Sequence, residues 1–186
     1  KDVEDSAKQK LYMDALMQYV SELIFDARDQ VAETVLADAV LFHNQHPECL
    51  DSEDQIYINF GTIYRDKADF DPNKPRVLGD KNLLTAISYF EQALTVDNAN
   101  RFSMLSMAQL LLVATKDKQR AIDLLNAIIK DREVDFITGS AYFKLWQNAS
   151  KKSKKKFYHK MAIGIFNFIV KSNVSYHLMS YACLYL

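Results

Sequence analysis

Glycine and proline are the residues that interrupt helices, and this chain uses few of them: 4 Gly and 3 Pro in 186 residues, with Pro72 and Pro75 crowded into one short stretch. Elsewhere apolar residues recur at three-and-four spacing, the period of a helix with one face turned to a core. Leu11, Ala15, Leu16, Tyr19, Val20, Leu23 and Ile24 follow it, and Val31, Val35, Leu36, Ala39, Val40 and Phe42 follow it again before His46-Pro47. Proline disfavours helical geometry in the residue before it, so the second run must stop there. The pattern predicts an all-α chain of long helices with one large interruption, not a turn-rich β fold.

The helices expected from period and stop signals cover 6–28, 31–46, 51–67, 82–96, 101–115, 119–130, 136–148, 154–170 and 176–186, about 7–9 in all. Asp51, Ser52, Glu53 and Asp54 offer N-caps for the third helix, and Asp80 offers one for the fourth. The connection 69–81 is rich in turn formers and stands out as an insertion. With hydrophobic residues at 49%, the chain can build one domain with a core of its own.

Charge is segregated. Residues 1–60 carry 13 acidic and 4 basic side chains, whereas 61–186 carry 11 acidic and 19 basic. No acidic residue follows Asp135, while eight lysines do: Lys144, Lys151, Lys152, Lys154, Lys155, Lys156, Lys160 and Lys171. That end should attract anions. The acidic first hairpin of one molecule could meet the lysine-rich end of another, so salt-sensitive self-association is one expected behaviour. Cys49 and Cys183 are too few and too far apart for a disulfide framework, and two reduced thiols are expected. No apolar stretch is long enough to span a bilayer and no signal-peptide pattern opens the chain, so a cytoplasmic protein is the expectation. The chain opens at Lys1, not Met, and reads as processed or cut.

One pattern is more specific. Tyr57-x-x-Phe60-Gly61-x-x-Tyr64 is followed by Ala86-x-x-x-Phe90-x-x-Ala93 and Asp97. Gly61 and Ala86 are small where two helices must approach closely, and the aromatics fill the seam around them. This resembles helix A and helix B of a tetratricopeptide repeat. Ala86 and Ala121 are 35 residues apart (121 − 86), close to the family period of about 34. Gly61 and Ala86 are 25 apart (86 − 61), longer than the family's spacing, which locates the insertion. The resemblance covers about residues 51–130; the Ala32-x-x-x-Leu36-x-x-Ala39 segment looks like a degenerate helix B. It implies a single right-handed solenoid of stacked antiparallel hairpins: a degenerate hairpin at 1–50, a repeat with insertion at 51–100, a second repeat at 101–133, and a divergent basic hairpin with terminal helix at 134–186.

The resemblance further implies a non-enzymatic scaffold or adaptor whose inner groove holds a peptide or helix of another protein. Carried over by position, that groove comprises Gln55, Ile58, Thr62 and Arg65 on one helix and Phe102, Leu105, Gln109 and Leu112 on the next. The family's carboxylate clamp has lysine and asparagine where this chain has Ile58 and Thr62, so tail binding of that kind is not implied. The rival reading is an anion-docking module in which Lys151, Lys152, Lys154, Lys155, Lys156 and Lys160 hold nucleic acid, an acidic lipid surface or an acidic protein.

Other constellations are weaker. His43-x-x-His46-x-x-Cys49 has zinc-ligand residue types, but Pro47 breaks the helix that would hold them on one face. Asp69, Asp71, Asn73 and Asp80 have calcium-loop spacing, but Lys74 replaces the required glycine. The sequons Asn148-Ala149-Ser150 and Asn173-Val174-Ser175 matter only in a secreted chain. No phosphate loop and no pairing of nucleophile with base occurs at an interpretable spacing, so neither catalytic residues, metal nor cofactor are expected.

Overall fold

Three helices start on an aspartate whose carboxylate accepts from the backbone three residues on. Asp80 accepts from Leu83 N at 3.0 Å, Asp117 from Arg120 N at 3.1 Å and Asp135 from Thr138 N at 2.8 Å. Each bond satisfies a donor that the first turn leaves without a helical partner. In this computed structural model residues 3–70 and 78–172 are described, and among them every regular element is helical. The helices are α1 (Val3–Phe25), α2 (Asp29–Gln45), α3 (Asp54–Lys67), α4 (Lys81–Val96), α5 (Arg101–Ala114), α6 (Lys118–Lys130), α7 (Phe136–Asn148) and α8 (Lys152–Ser172). A single 3-10 turn, Pro47–Cys49, separates α2 from α3. The expected helix at 176–186, the calcium-loop positions Asp71 and Asn73, and Cys183 lie outside the described residues.

The expected boundaries and the observed ones agree closely, with two exceptions. α1 begins before Ser6, and α3 is not capped by the acidic cluster that precedes it. Glu53 occupies the cap position without a capping bond, its carboxylate lying 3.1 Å from His43 Nε2, while Asp51 is turned to α1, where both its oxygens accept from Lys10 Nζ at 2.7 and 2.8 Å.

The chain divides into two units, Lys1–Ser103 and Met104–Leu186. In the first, α1 and α2 are joined by three residues, a connection that only antiparallel neighbours can use, and α2 then packs on α3 and α3 on α4. Met13, Val20, Leu23, Ala32, Leu36, Ala39 and Ile63 form its core. In the second unit α6 meets α7, and α7 meets α8 across a further three-residue connection, around Tyr142, Ala162, Ile165, Phe166 and Ile169.

Every second helix buries the same short pattern. Ala32, Ala86, Ala121 and Ala162 are each at most 1% exposed; four residues later Leu36, Phe90, Leu125 and Phe166 are fully buried; three further on come Ala39, Ala93, Ile128 and Ile169, also buried. A small residue one turn before a large one lets a facing helix come close over the first and rest on the second. In α3/α4 and α7/α8 the facing residue is glycine: a Cβ added at Gly61 would lie 2.9 Å from the Phe90 ring, and one at Gly139 2.6 Å from the Phe166 ring. The α3/α4 seam is finished by Tyr89, which stacks on Phe60 at 4.9 Å and on Tyr64 at 5.6 Å.

A partly buried polar contact ties α2 to α3. Glu33 accepts a hydrogen bond from Tyr64 Oη at 2.9 Å through one oxygen and from Lys67 Nζ through the other. The Lys67 contact, foremost, holds the Glu33 carboxyl below its ordinary value of 4.5, so the folded chain takes up this proton less readily than the unfolded one. The stability this pairing contributes is therefore present above 4.5 and is lost as pH falls through the lower folded value. Burial acts oppositely on Asp29, whose carboxyl is raised and whose protonation relieves a cost. Glu33→Gln is expected to cost about 1 kcal/mol at neutral pH and to flatten the loss of stability on acidification. Urea midpoints at pH 7 and below 4.5 check this, and parallel losses in wild type and variant would refute the assignment.

Candidate functional site: a groove on the first unit and a basic helix on the second

Gly61 fixes which side of α3 faces α4, and thereby which side is left open. Gln55, Ile58, Asn59 and Thr62 fall on that side at three-and-four spacing, Gln55 exposed and the other three buried. The last turn of α1 reaches it with Ser21 and Ile24, and the first turn of α5 with Phe102. These seven residues line a cavity of about 330 Å³. Asn100 places Phe102 there: its Oδ1 accepts from Ser103 N at 2.9 Å and so caps α5, while its Nδ2 donates to Asp54 Oδ2 at 2.9 Å on the first turn of α3. Phe102 then meets Phe90 edge-on at 6.4 Å and stays 41% exposed.

The polar groups of the groove are satisfied locally with one exception. Thr62 Oγ1 donates to Ile58 O at 2.9 Å and Ser21 Oγ to Met17 O at 3.0 Å. Asn59 Oδ1 accepts from Gln55 Nε2 at 3.3 Å, but Asn59 Nδ2 is buried without a hydrogen-bond partner. An amide donor in that position carries a desolvation cost that an incoming acceptor would remove.

Of the eight groove residues expected from sequence, Gln55, Ile58, Thr62 and Phe102 line the cavity. Arg65, next along the same stripe, is instead held by Asp66, Nε to Oδ1 at 2.8 Å. Leu105, Gln109 and Leu112 belong to the second unit, where both leucines are buried and Gln109 is half-buried. Sequence reasoning missed Asn59, although it completes the 55, 58, 59, 62 stripe, and missed Ser21 and Ile24, which only the packing of α1 brings in.

In the second unit Lys151, Lys152, Lys154, Lys155, Lys156 and Lys160 are all exposed, on the first turns of α8 and just before it. Lys144 is not part of this surface: it is 3% exposed, donates to Gln147 Oε1 at 3.2 Å and lies over the Phe143 ring. Lys154 borders a smaller cavity of about 140 Å³ with Ile122, Leu145 and Tyr158. Phe157 and Phe168, on the same helix, are 53% and 57% exposed.

The zinc-like trio is resolved differently from its spacing. The 3-10 turn brings Cys49 back to His43, with Sγ 3.9 Å from Nδ1, while His43 Nε2 is 3.1 Å from Glu53 Oε1. The sulfur and the carboxylate thus engage opposite nitrogens of one ring and do not converge on a point. His46 turns away to pack its ring on Phe42 at 4.7 Å. Among the described residues no group of three or more His, Cys, Asp or Glu is placed to hold a metal ion. Cys49 is fully buried, and burial raises its thiol above the ordinary value, so it is no ready nucleophile. None of the described helices is long and apolar enough to cross a membrane. No protein-family model, curated protein or solved structure matches the chain.

Proposed function

We propose that the chain is a non-enzymatic binding module of tetratricopeptide-like hairpins, and that its first unit holds a segment of another protein across the open side of α3. The observation that carries this reading is the groove itself: apolar walls from Ile24, Ile58 and Phe102 around an Asn59 Nδ2 with no partner. Small-molecule and peptide sites share that composition, mostly apolar with a few placed polar groups. A peptide suits it best, because every peptide unit offers a carbonyl to the amide donor while its side chains cover the apolar walls. The recurring pattern of Ala32, Ala86, Ala121 and Ala162 on alternate helices supports the hairpin-repeat part of the reading.

The test is selection of peptides from a displayed random library on the full chain, followed by affinity measurement. Asn59→Leu removes the donor and fills its place, and Phe102→Ala removes a wall. Each is expected to weaken selected peptides about tenfold, the equivalent of about 1.4 kcal/mol, with little change in thermal stability. Failure to select any peptide, or peptides indifferent to both substitutions, would reject the groove as the binding site.

A further inference from the structure

We propose that the outward stripe of α8 lies flat on an anionic lipid surface, with Phe157 and Phe168 entering the headgroup layer and the lysines around them holding its charge. The placement comes from the helix itself. Phe157 and Phe168 are eleven residues apart, three turns, which puts them about 16 Å apart along the axis and within about 20° of one another around it. Both rings are more than half exposed, whereas Ala162, Ile165, Phe166 and Ile169 on the other side of the helix are buried. Between the two rings stand Gly164, exposed and with nothing within 4 Å of where a side chain would begin, and the partly buried Met161.

Charge surrounds this line on both sides. Lys154 and Lys160 lie about 60° to either side of it, and Lys171 about 40° away at the far end. Lys151, Lys152, Lys155 and Lys156 crowd the near end, all exposed. No acidic residue occurs in the sequence after Asp135, so this helix carries no negative charge to oppose approach. A plane touches a convex helix along one line, and here that line holds two large apolar side chains within a field of lysines, the composition of helices that lie in a membrane interface. Nucleic acid is the poorer fit, since its aromatic contacts are made in grooves that follow the phosphate backbone.

The experiment uses the full chain and sedimentation with vesicles of phosphatidylcholine alone or containing a minority of phosphatidylserine, at low and physiological salt. Duplex DNA and single-stranded RNA are measured beside them. Binding is expected to the phosphatidylserine vesicles only. Lys154→Glu, Lys156→Glu and Lys160→Glu together should weaken it more than about a hundredfold, since each lysine near such a surface is worth about fivefold. Phe157→Ser with Phe168→Ser should weaken it about tenfold while leaving helix content unchanged and costing the fold the Phe157–Tyr142 ring contact. In a separate Phe168→Trp variant, emission should shift to the blue on phosphatidylserine vesicles. Absence of binding at low salt overturns the proposal. So does binding that ignores the phenylalanine substitutions and leaves the tryptophan unshifted, or tighter binding to either nucleic acid than to vesicles.

Discussion

Phe90→Ala is expected to destabilise the first unit by about 3–5 kcal/mol, since it truncates the largest fully buried side chain there. Phe90 is fully buried on α4, and its ring is what α3 rests on at Gly61. Truncation removes that support twice over: the lost transfer energy of a phenyl group adds to a cavity that the glycine cannot fill, because it has no side chain to move into the space. The same cavity would release Phe102, which packs edge-on against Phe90 and forms a wall of the groove. Peptide affinity should therefore fall with stability in this variant, in contrast to Asn59→Leu, where affinity alone should change. Urea unfolding with constant slope checks the first part, and a loss below 2 kcal/mol would mean that α3 and α4 collapse onto the space, contrary to the close approach at Gly61.

Gly139→Val is expected to have an effect of similar origin and opposite geometry in the second unit. A Cβ at this position would meet the Phe166 ring at 2.6 Å, closer than real contacts allow, and Phe166 is fully buried and cannot swing aside. Overpacking of this kind costs about 1–3 kcal/mol or somewhat more, and the helix propensity gained by removing glycine offsets less than about 1 kcal/mol of it. Gly164 supplies the contrast. A side chain there meets nothing within 4 Å, so Gly164→Ala is expected to stabilise by roughly 0.5–1 kcal/mol. The clash should also yield to a smaller neighbour, with Gly139→Ala less harmful beside Phe166→Leu than alone. Thermal unfolding of these variants checks the set. If the substitutions at 139 and 164 shift the midpoint in the same direction, the close contact between α7 and α8 is not what Gly139 serves.

Much of this architecture was legible because it depends on local rules. The stripe on α1 or α2 requires only period, the end of α2 requires only Pro47, and the start of α4 requires only Asp80, whose carboxylate takes Leu83 N as expected. Gln55, Ile58 and Thr62 were reached only through the tetratricopeptide resemblance, and these three do line the cavity. What escaped depends on a second element. Asp51 looks like a cap until α1 presents Lys10 to it. Cys49 looks separated from His43 by Pro47 until a single 3-10 turn returns it. Gly139 keeps only part of the signature around Gly61, with Tyr142 three residues on but Thr138 where Phe60 stands, and its role is apparent only from the Phe166 ring beside it. The orphan Nδ2 of Asn59 is a property of its surroundings, which no spacing encodes.

The connections between paired helices also set an order of events in time. α1 meets α2, and α7 meets α8, after three residues each, whereas α3 and α4 are separated by 13 residues, 68–80, although they form the most extensive of these pairings. Closing the longer link costs about 1 kcal/mol more in chain entropy before any contact repays it. The first and last hairpins can therefore form as local, fast events, while the α3/α4 pairing, whose Phe90 supports the Phe102 wall of the groove, is a later step in folding. Whatever lengthens or shortens the segment between Lys67 and Lys81 should tune the rate at which a binding-competent unit appears, and leave its finished groove alone.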